Sequence, residues 1–198
     1  MDVNVIPLFS APLLVGKLNK PLTISSHIQN HTDLRDDKSA SKCLDEYPED
    51  KETLLDIFHE FSKNILGLEN QKFKITTSWA TKTTRDSPPG GFHVHKNSYY
   101  SGVVYFSEGE KFAPLMLDNL QFDRHHFFIP KFNIESGDPV IANTFHAIPP
   151  KKNHVYIFPS YLSHAIGKHE SSEVRYSLAF NIVPDGEIGF NDSTVTIN

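Results

Sequence analysis

Three histidines and an arginine carry the clearest chemical signal in this chain. His93 and His95 flank a single valine in GGFHVHKNSYYSGVVYF (90–106). His164 lies in a second block, HVYIFPSYLSHAIGKHESSEVRYSLAFNI (154–182), and Arg175 follows it eleven positions later. Imidazole is the commonest protein ligand for transition metals and suits iron, zinc and copper alike. Residues two apart on an extended strand share a face, so His93 and His95 can offer two imidazoles to one ion while Val94 turns away. A third imidazole from far along the chain supplies another corner of a coordination shell. The pattern describes a metal centre beside an anion-binding arginine.

The same alternation sorts the second block. Val174, Tyr176, Leu178, Phe180 and Ile182 read as core facing, and Arg175, Ser177, Ala179 and Asn181 share the opposite face. An arginine on a sheltered face requires an anionic partner, because its charge is costly to bury alone. A carboxylate matches its planar fork bidentately, and an internal acid or a ligand can supply it. Ser177 adds a hydroxyl beside it, and Ala179 leaves room for a small anion. One His-x-His among eleven histidines is a weak signal by itself, so position has to decide. His125 and His126 fall in a polar-aromatic loop, His146 and His169 near turns, and His59 off the apolar face of a helix. All five read as surface residues.

The elements that must hold these groups are mostly strands. Fifteen Phe and seven Tyr favour β structure, and thirteen Pro with ten Gly punctuate it with turns. Strands are expected at FKITTSWATKT (73–83), SYYSGVVYF (98–106), APLML (113–117), FFIPKFNI (127–134), PVIANTF (139–145), HVYIFP (154–159) and EVRYSLAFNIV (173–183). Many short strands with turn signals predict a mainly β sandwich or jelly roll. KETLLDIFHEFSKNILGL (51–68) is the persuasive helix, with Leu54, Ile57, Phe58, Phe61, Ile65 and Leu68 at helical spacing. The 198 residues make one domain, read as an extended segment and helices over 1–72, a β core over 73–183 and a polar tail over 184–198 with one late strand at STVTI (193–197). A short helix followed by a polar loop is expected over 25–50.

Composition excludes several classes of function. The net charge is −5 with scattered basic residues, which leaves no footprint for nucleic acid. No apolar run is long enough to span a membrane, and the N-terminus lacks the basic region of a signal peptide. The single cysteine, Cys43, fits a reducing compartment, so a cytoplasmic location is expected. Exposed sheet edges would allow a homodimer.

At Trp79, HVHKNSYYSGVVYF (93–106), FPSYLSHAI (158–166) and RYSLAFN (175–181), the chain resembles the 2-oxoglutarate/Fe(II)-dependent oxygenases of bacteria and phages. IPLFSAPLLVGKL (6–18) is a weaker match to their opening segment. These oxygenases belong to the double-stranded β-helix superfamily. The resemblance implies a cupin-like jelly roll with helices packed on one sheet, holding Fe(II) and taking 2-oxoglutarate and O2 as cosubstrates. It implies His93, His95 and His164 as metal ligands, Arg175 as the clamp on the far carboxylate of 2-oxoglutarate, and Ser177 as its helper. Asn97, Tyr105 and Asn181 are further candidates around the cosubstrate, and Trp79 and Tyr99 are candidates for the cavity wall. The superfamily's second ligand is usually a carboxylate, where this chain has His95. Three imidazoles leave a divalent centre at about +2, against about +1 with one carboxylate. A shifted register pairing His95 with Asn97, or an acid such as Asp86 or Asp118 arriving from elsewhere, are the other ways to complete the shell.

The implied activity is oxidative decarboxylation of 2-oxoglutarate to succinate, coupled to C–H oxidation of a substrate the sequence does not identify. Two alternatives stay open. One is a three-histidine dioxygenase that binds its substrate directly, and the other is a jelly-roll binding module without catalysis.

Overall fold

The computed structural model describes residues 11–30, 42–118 and 145–197. Strand β1 (Leu14–Lys17) is followed by helices α1 (Ile24–Asn30) and α2 (Pro48–Asn64). The long β2 (Lys72–Thr83) and then β3 (Tyr100–Tyr105) begin the β core. Strands β4 (Leu115–Asp118), β5 (Phe145–Ile148), β6 (His154–Pro159), β7 (Ser163–Ile166), β8 (Arg175–Ile188) and β9 (Val195–Ile197) complete it. The larger sheet runs β1-β6-β3-β8-β2, with β9 paired to the far end of β8. The smaller one runs β5-β4-β7, and every pairing between these strands is antiparallel. This is the expected mainly β jelly roll, with the helices on one face of the larger sheet.

The faces follow from alternation. Val104, Val155, Ile157, Leu178, Phe180 and Ile182 point toward the helices, where Leu54, Phe58 and Phe61 of α2 meet them. Phe58 sets its ring edge-on to Phe73 at 4.8 Å and tilted to Tyr100 at 5.0 Å. Each such side chain contributes about 1.5–3 kcal/mol on burial. On the other face Tyr105, Tyr156 and Phe158 pack with Leu115 and Leu117 of the smaller sheet. The helix begins at Pro48, whose missing N–H costs nothing in the first turn, and ends at Asn64. Ile65 therefore leaves the expected apolar stripe and is 67% exposed, while Leu66 packs on the core instead.

A β-bulge in β2 decides which residues face the cavity. Ile75 pairs with Ile182, but the next partner of β8, Asn181, meets Thr77. The extra residue reverses the parity of the strand. Phe73 and Ile75 point to the helix side before the bulge, and Ser78 and Ala80 do so after it. Thr77, Trp79, Thr81 and Thr83 are thereby turned to the inner face.

The late strand expected at STVTI is β9, and the tail is structured before it as well. Residues 184–188 prolong β8, and β9 returns to pair Val195 with Ile188 and Ile197 with Gly186. FFIPKFNI (127–134), most of PVIANTF, His125 and His126 lie outside the described residues.

Gly102 shows how tightly the helix side is packed. A Cβ there would fall 2.2–2.7 Å from the ring of its cross-strand partner Phe180. Gly102→Ala is expected to cost about 1–3 kcal/mol through overpacking. Urea unfolding should show a lower midpoint with an unchanged slope, and an unchanged midpoint would contradict the packing.

Candidate active site

The first two histidines are placed by main-chain bonds to β7 and to the turn that precedes it. His93 N–H donates to His164 O at 3.0 Å and His164 N–H returns to His93 O at 2.9 Å. Further on, His95 N–H donates to Ser160 O at 3.1 Å. Residues 90–93 so lie along β7, His95 is held by the turn before it, and His164 comes from that strand itself. The ring centroids of the three imidazoles are 4.4, 4.8 and 5.2 Å apart. One ligand nitrogen from each falls within 4.8 Å of the other two.

The hydrogen bonds of the other ring nitrogens show which atoms are left free to ligate. His93 Nδ1 lies 2.9 Å from Gly91 O, and His164 Nδ1 lies 2.9 Å from Leu162 O. His95 Nδ1 lies 2.6 Å from Asn181 Oδ1. Each acceptor fixes the Nδ1–H tautomer, so each Nε2 keeps its lone pair for a metal. Ser101 Oγ donates to Asn181 Oδ1 at 3.0 Å, and Asn181 Nδ2 donates to Thr77 Oγ1 at 2.9 Å, which holds the amide in place. Asn181 thus acts on His95 from behind.

At His164 electrostatics favour the neutral form. Burial pulls His164 down to about 4, and charge on neighbouring His93 and His95 would push the same way. Neutral imidazole is the ligating form. Because the unfolded chain protonates near 6.5 and the folded one near 4, the metal-free protein should lose stability as pH falls through that window. The loss from this group is about 2–3 kcal/mol. Urea titrations of metal-free wild type and His164→Gln at pH 7 and 4.5 should differ by that amount, and an equal loss in both would remove the assignment.

The cavity in front of the imidazoles encloses about 130 Å³ and extends to Arg175. Cross-strand register orders the sheet behind it in rows. Thr77, Asn181 and Ser101 form the row beneath His95, where Ser101 alone of the three lines the cavity; Trp79, Ala179 and Val103 form the next; Thr81, Ser177 and Tyr105 form the third. Beyond them Thr83 pairs with Arg175. Arg175 is 1% exposed, donating from Nη1 to Ala113 O at 3.0 Å and from Nη2 to Thr83 Oγ1 at 2.9 Å. Its guanidinium lies 5.3 Å from the centre of the Tyr105 ring and is hydrogen-bonded to that residue. Burial pushes the Tyr105 hydroxyl up to about 12, so it remains a protonated donor.

The structure therefore brings His93, His95 and His164 together and sets Tyr105, Arg175 and Ser177 along the same cavity. Asn97 is apart from them, in an exposed turn outside the lining residues, so His93 is the partner of His95. Asp86 is exposed in a turn, and Asp118 follows Leu117, the cross-strand partner of His164, onto the opposite face. No carboxylate joins the histidine cluster among the described residues. Trp79 lines the cavity, with its ring 5.8 Å from His95, whereas Tyr99 is 43% exposed and stacks on Phe73. His146 lies exposed on β5, but His169 is buried, contrary to its reading as a surface residue. His59 is half-buried beside Phe73. Ser101 was accessible to strand parity, sharing a face with Tyr105; Thr81 and Thr83 were hidden by the bulge.

Fold and site together define a jelly-roll protein with three clustered imidazoles that could hold a metal ion and a buried arginine along its cavity. The chain belongs to the 2OG-Fe(II) oxygenase family: the family described as "Putative 2OG-Fe(II) oxygenase" matches residues 77–181, more than half of its length. HygX of Streptomyces hygroscopicus, crystallised with nickel and 2-oxoglutarate, superimposes at a TM-score of 0.57. It shares 13% identity over 87% of this chain and 82% of its own. A prolyl-4-hydroxylase of Pseudomonas putida matches at a TM-score of 0.50, with 14% identity over 85% of this chain and 84% of its own. An oxidoreductase of the 2OG-Fe(II) oxygenase family from Burkholderia pseudomallei shares 13% identity over 66% of this chain at a TM-score of 0.46, and the match spans 55% of that protein. No curated protein matches the chain in sequence. At such identities the structural likeness speaks for the fold, and the family assignment rests on residues 77–181. Among the described residues no helix is long and apolar enough to cross a membrane.

Proposed function

We propose that this protein is a 2-oxoglutarate-dependent oxygenase that oxidises a C–H bond of its substrate at an Fe(II) centre held by three histidines. The observation that carries the reading is the order of the cavity floor. Converging imidazoles stand at one end, the apolar Ala179 and Val103 lie between, and Ser177, Tyr105, Thr81 and Arg175 stand at the other. A 2-oxo diacid has the same order, a chelating 2-oxo acid head, two methylenes and a distal carboxylate.

His93, His95 and His164 would hold the metal through Nε2, leaving the remaining positions open to cosubstrate and oxygen. Bound Fe(II) and 2-oxoglutarate supply the oxidation, with O2 reduced as the cosubstrate is decarboxylated to succinate and the substrate is oxidised. The chain's own groups bind and orient. Arg175 meets the distal carboxylate with a planar, permanently charged fork, and Ser177 and Tyr105 add neutral donors. Asn181 and Ser101 keep His95 in its ligating tautomer. Trp79 and Phe158 line the cavity with aromatic surface that excludes water.

Anaerobic addition of Fe(II) and 2-oxoglutarate should produce a weak visible charge-transfer band, and air should then yield succinate. Oxygen uptake that proceeds without 2-oxoglutarate would support the direct-binding dioxygenase instead. Iron bound with neither band nor uptake would leave only a binding module.

A further inference from the structure

The Arg175 end of the cavity is backed by two loops, and one buried histidine joins them. Residues 106–114 lead from β3 to β4, and residues 167–174 lead from β7 to β8. Glu170 N–H donates to Lys111 O at 3.0 Å, and Gly167 N–H donates to Pro114 O at 2.9 Å. His169 sits between these contacts, 1% exposed, with its ring 5.0 Å from that of Phe112. Its Nδ1 accepts the Ala113 N–H at 3.2 Å, and its Nε2 lies 2.8 Å from Glu173 O. Both bonds require the neutral Nε2–H tautomer, because a protonated Nδ1 cannot accept. The three clustered histidines have the opposite tautomer.

The Ala113 residue held through its N–H is the one whose carbonyl accepts from Arg175 Nη1 at 3.0 Å. Ala113 is fully buried. A guanidinium is directed by its acceptors, and an acceptor on an anchored loop directs it better than one free to shift. We infer that His169 is a positioning residue for the clamp: by pinning Ala113 it sets the direction of the Arg175 guanidinium and hence the affinity for the distal carboxylate of a 2-oxo diacid. This rests on Arg175 binding that carboxylate, as proposed above.

His169→Phe keeps a ring against Phe112 and deletes both hydrogen bonds, while His169→Gln restores an acceptor and a donor. Both variants and wild type are loaded with Fe(II) and titrated anaerobically with 2-oxoglutarate, and turnover is followed in air. His169→Phe is expected to raise the Kd and KM for 2-oxoglutarate roughly 3- to 10-fold, the worth of one weakened hydrogen bond. Its kcat should stay within about twofold, separating cosubstrate binding from chemistry. Iron affinity should be unchanged, and His169→Gln should recover most of the lost affinity. A His169→Phe protein that melts earlier but binds 2-oxoglutarate like wild type makes His169 merely structural and overturns the inference, when Arg175→Met in the same assay loses the cosubstrate. Wild-type binding by Arg175→Met refutes the clamp itself, and the inference with it. Should His169→Phe fail to fold, the 15N shifts of the metal-free wild-type protein decide, because an Nδ1–H tautomer at His169 is incompatible with the pin.

Discussion

His164→Ala is expected to weaken iron binding severely and, with it, to remove 2-oxoglutarate turnover. The residue is 7% exposed, its Nδ1 is committed to Leu162 O, and Phe158 packs edge-on against its ring at 4.9 Å. No neighbouring donor can swing in to replace it among the described residues, because the cluster holds three imidazoles and nothing else. If the three histidines are the protein ligands, losing one should weaken the metal by on the order of 100- to 1000-fold, a fraction of what a complete ligand set contributes. The fold should survive, because removing a buried imidazole also removes a group that resists protonation inside the sheet. Metal analysis after anaerobic reconstitution reads the first expectation and succinate formation the second. Stoichiometric iron bound to His164→Ala with unchanged affinity would exclude the three-histidine centre.

His164 also illustrates how much of the site was legible beforehand. The His-x-His pair and the alternation in RYSLAFN depend only on period-two geometry, and both hold where the strand is regular. The larger sheet delivers Arg175, Ser177, Ala179 and Asn181 to one face, as alternation requires. Regularity fails at Thr76, where one inserted residue reverses β2 and brings Thr81 and Thr83 beside Ser177 and Arg175. Nothing in KITTSWATKT marks that reversal, since threonine suits either face of a strand. The role of Asn181 was only half visible. Its face was readable, but its bond to His95 spans 86 positions and depends on how two segments meet. His169 was misread for the same reason: HESSE has the composition of an exposed turn, and the groups that bury its first residue come from residues 112 and 113. The late strand at STVTI is legible from its β-branched residues, whereas the extension of β8 over 184–188 that pairs with it is not, because PDGEI has the composition of a turn. What sequence conveys here is local periodicity, and what it omits is long-range pairing.

The second large effect is expected at Arg175, and it differs in kind from the first. Arg175→Met should retain iron while weakening 2-oxoglutarate roughly 100-fold, within the 2–5 kcal/mol cost of truncating one partner of a buried charge pair. Arg175→Lys should recover little of this, because a single ammonium cannot reach Ala113 O, Thr83 Oγ1 and an anion in the directions the planar fork serves at once. Lost affinity alone would not separate a clamp from a collapsed loop, but a cycle with 2-oxobutyrate does. That acid keeps the chelating head and lacks the distal carboxylate. In wild type it should bind far more weakly than 2-oxoglutarate; in Arg175→Met the two should bind alike, because the group that told them apart is gone. A variant that weakens both acids equally would instead mean that Arg175 holds the cavity together, and the cosubstrate's second carboxylate would need another partner. On the proposed reading the two substitutions would divide the cavity by function: loss of His164 would remove the metal and everything that depends on it, whereas loss of Arg175 would leave the metal in place and remove the discrimination between one carboxylate and two.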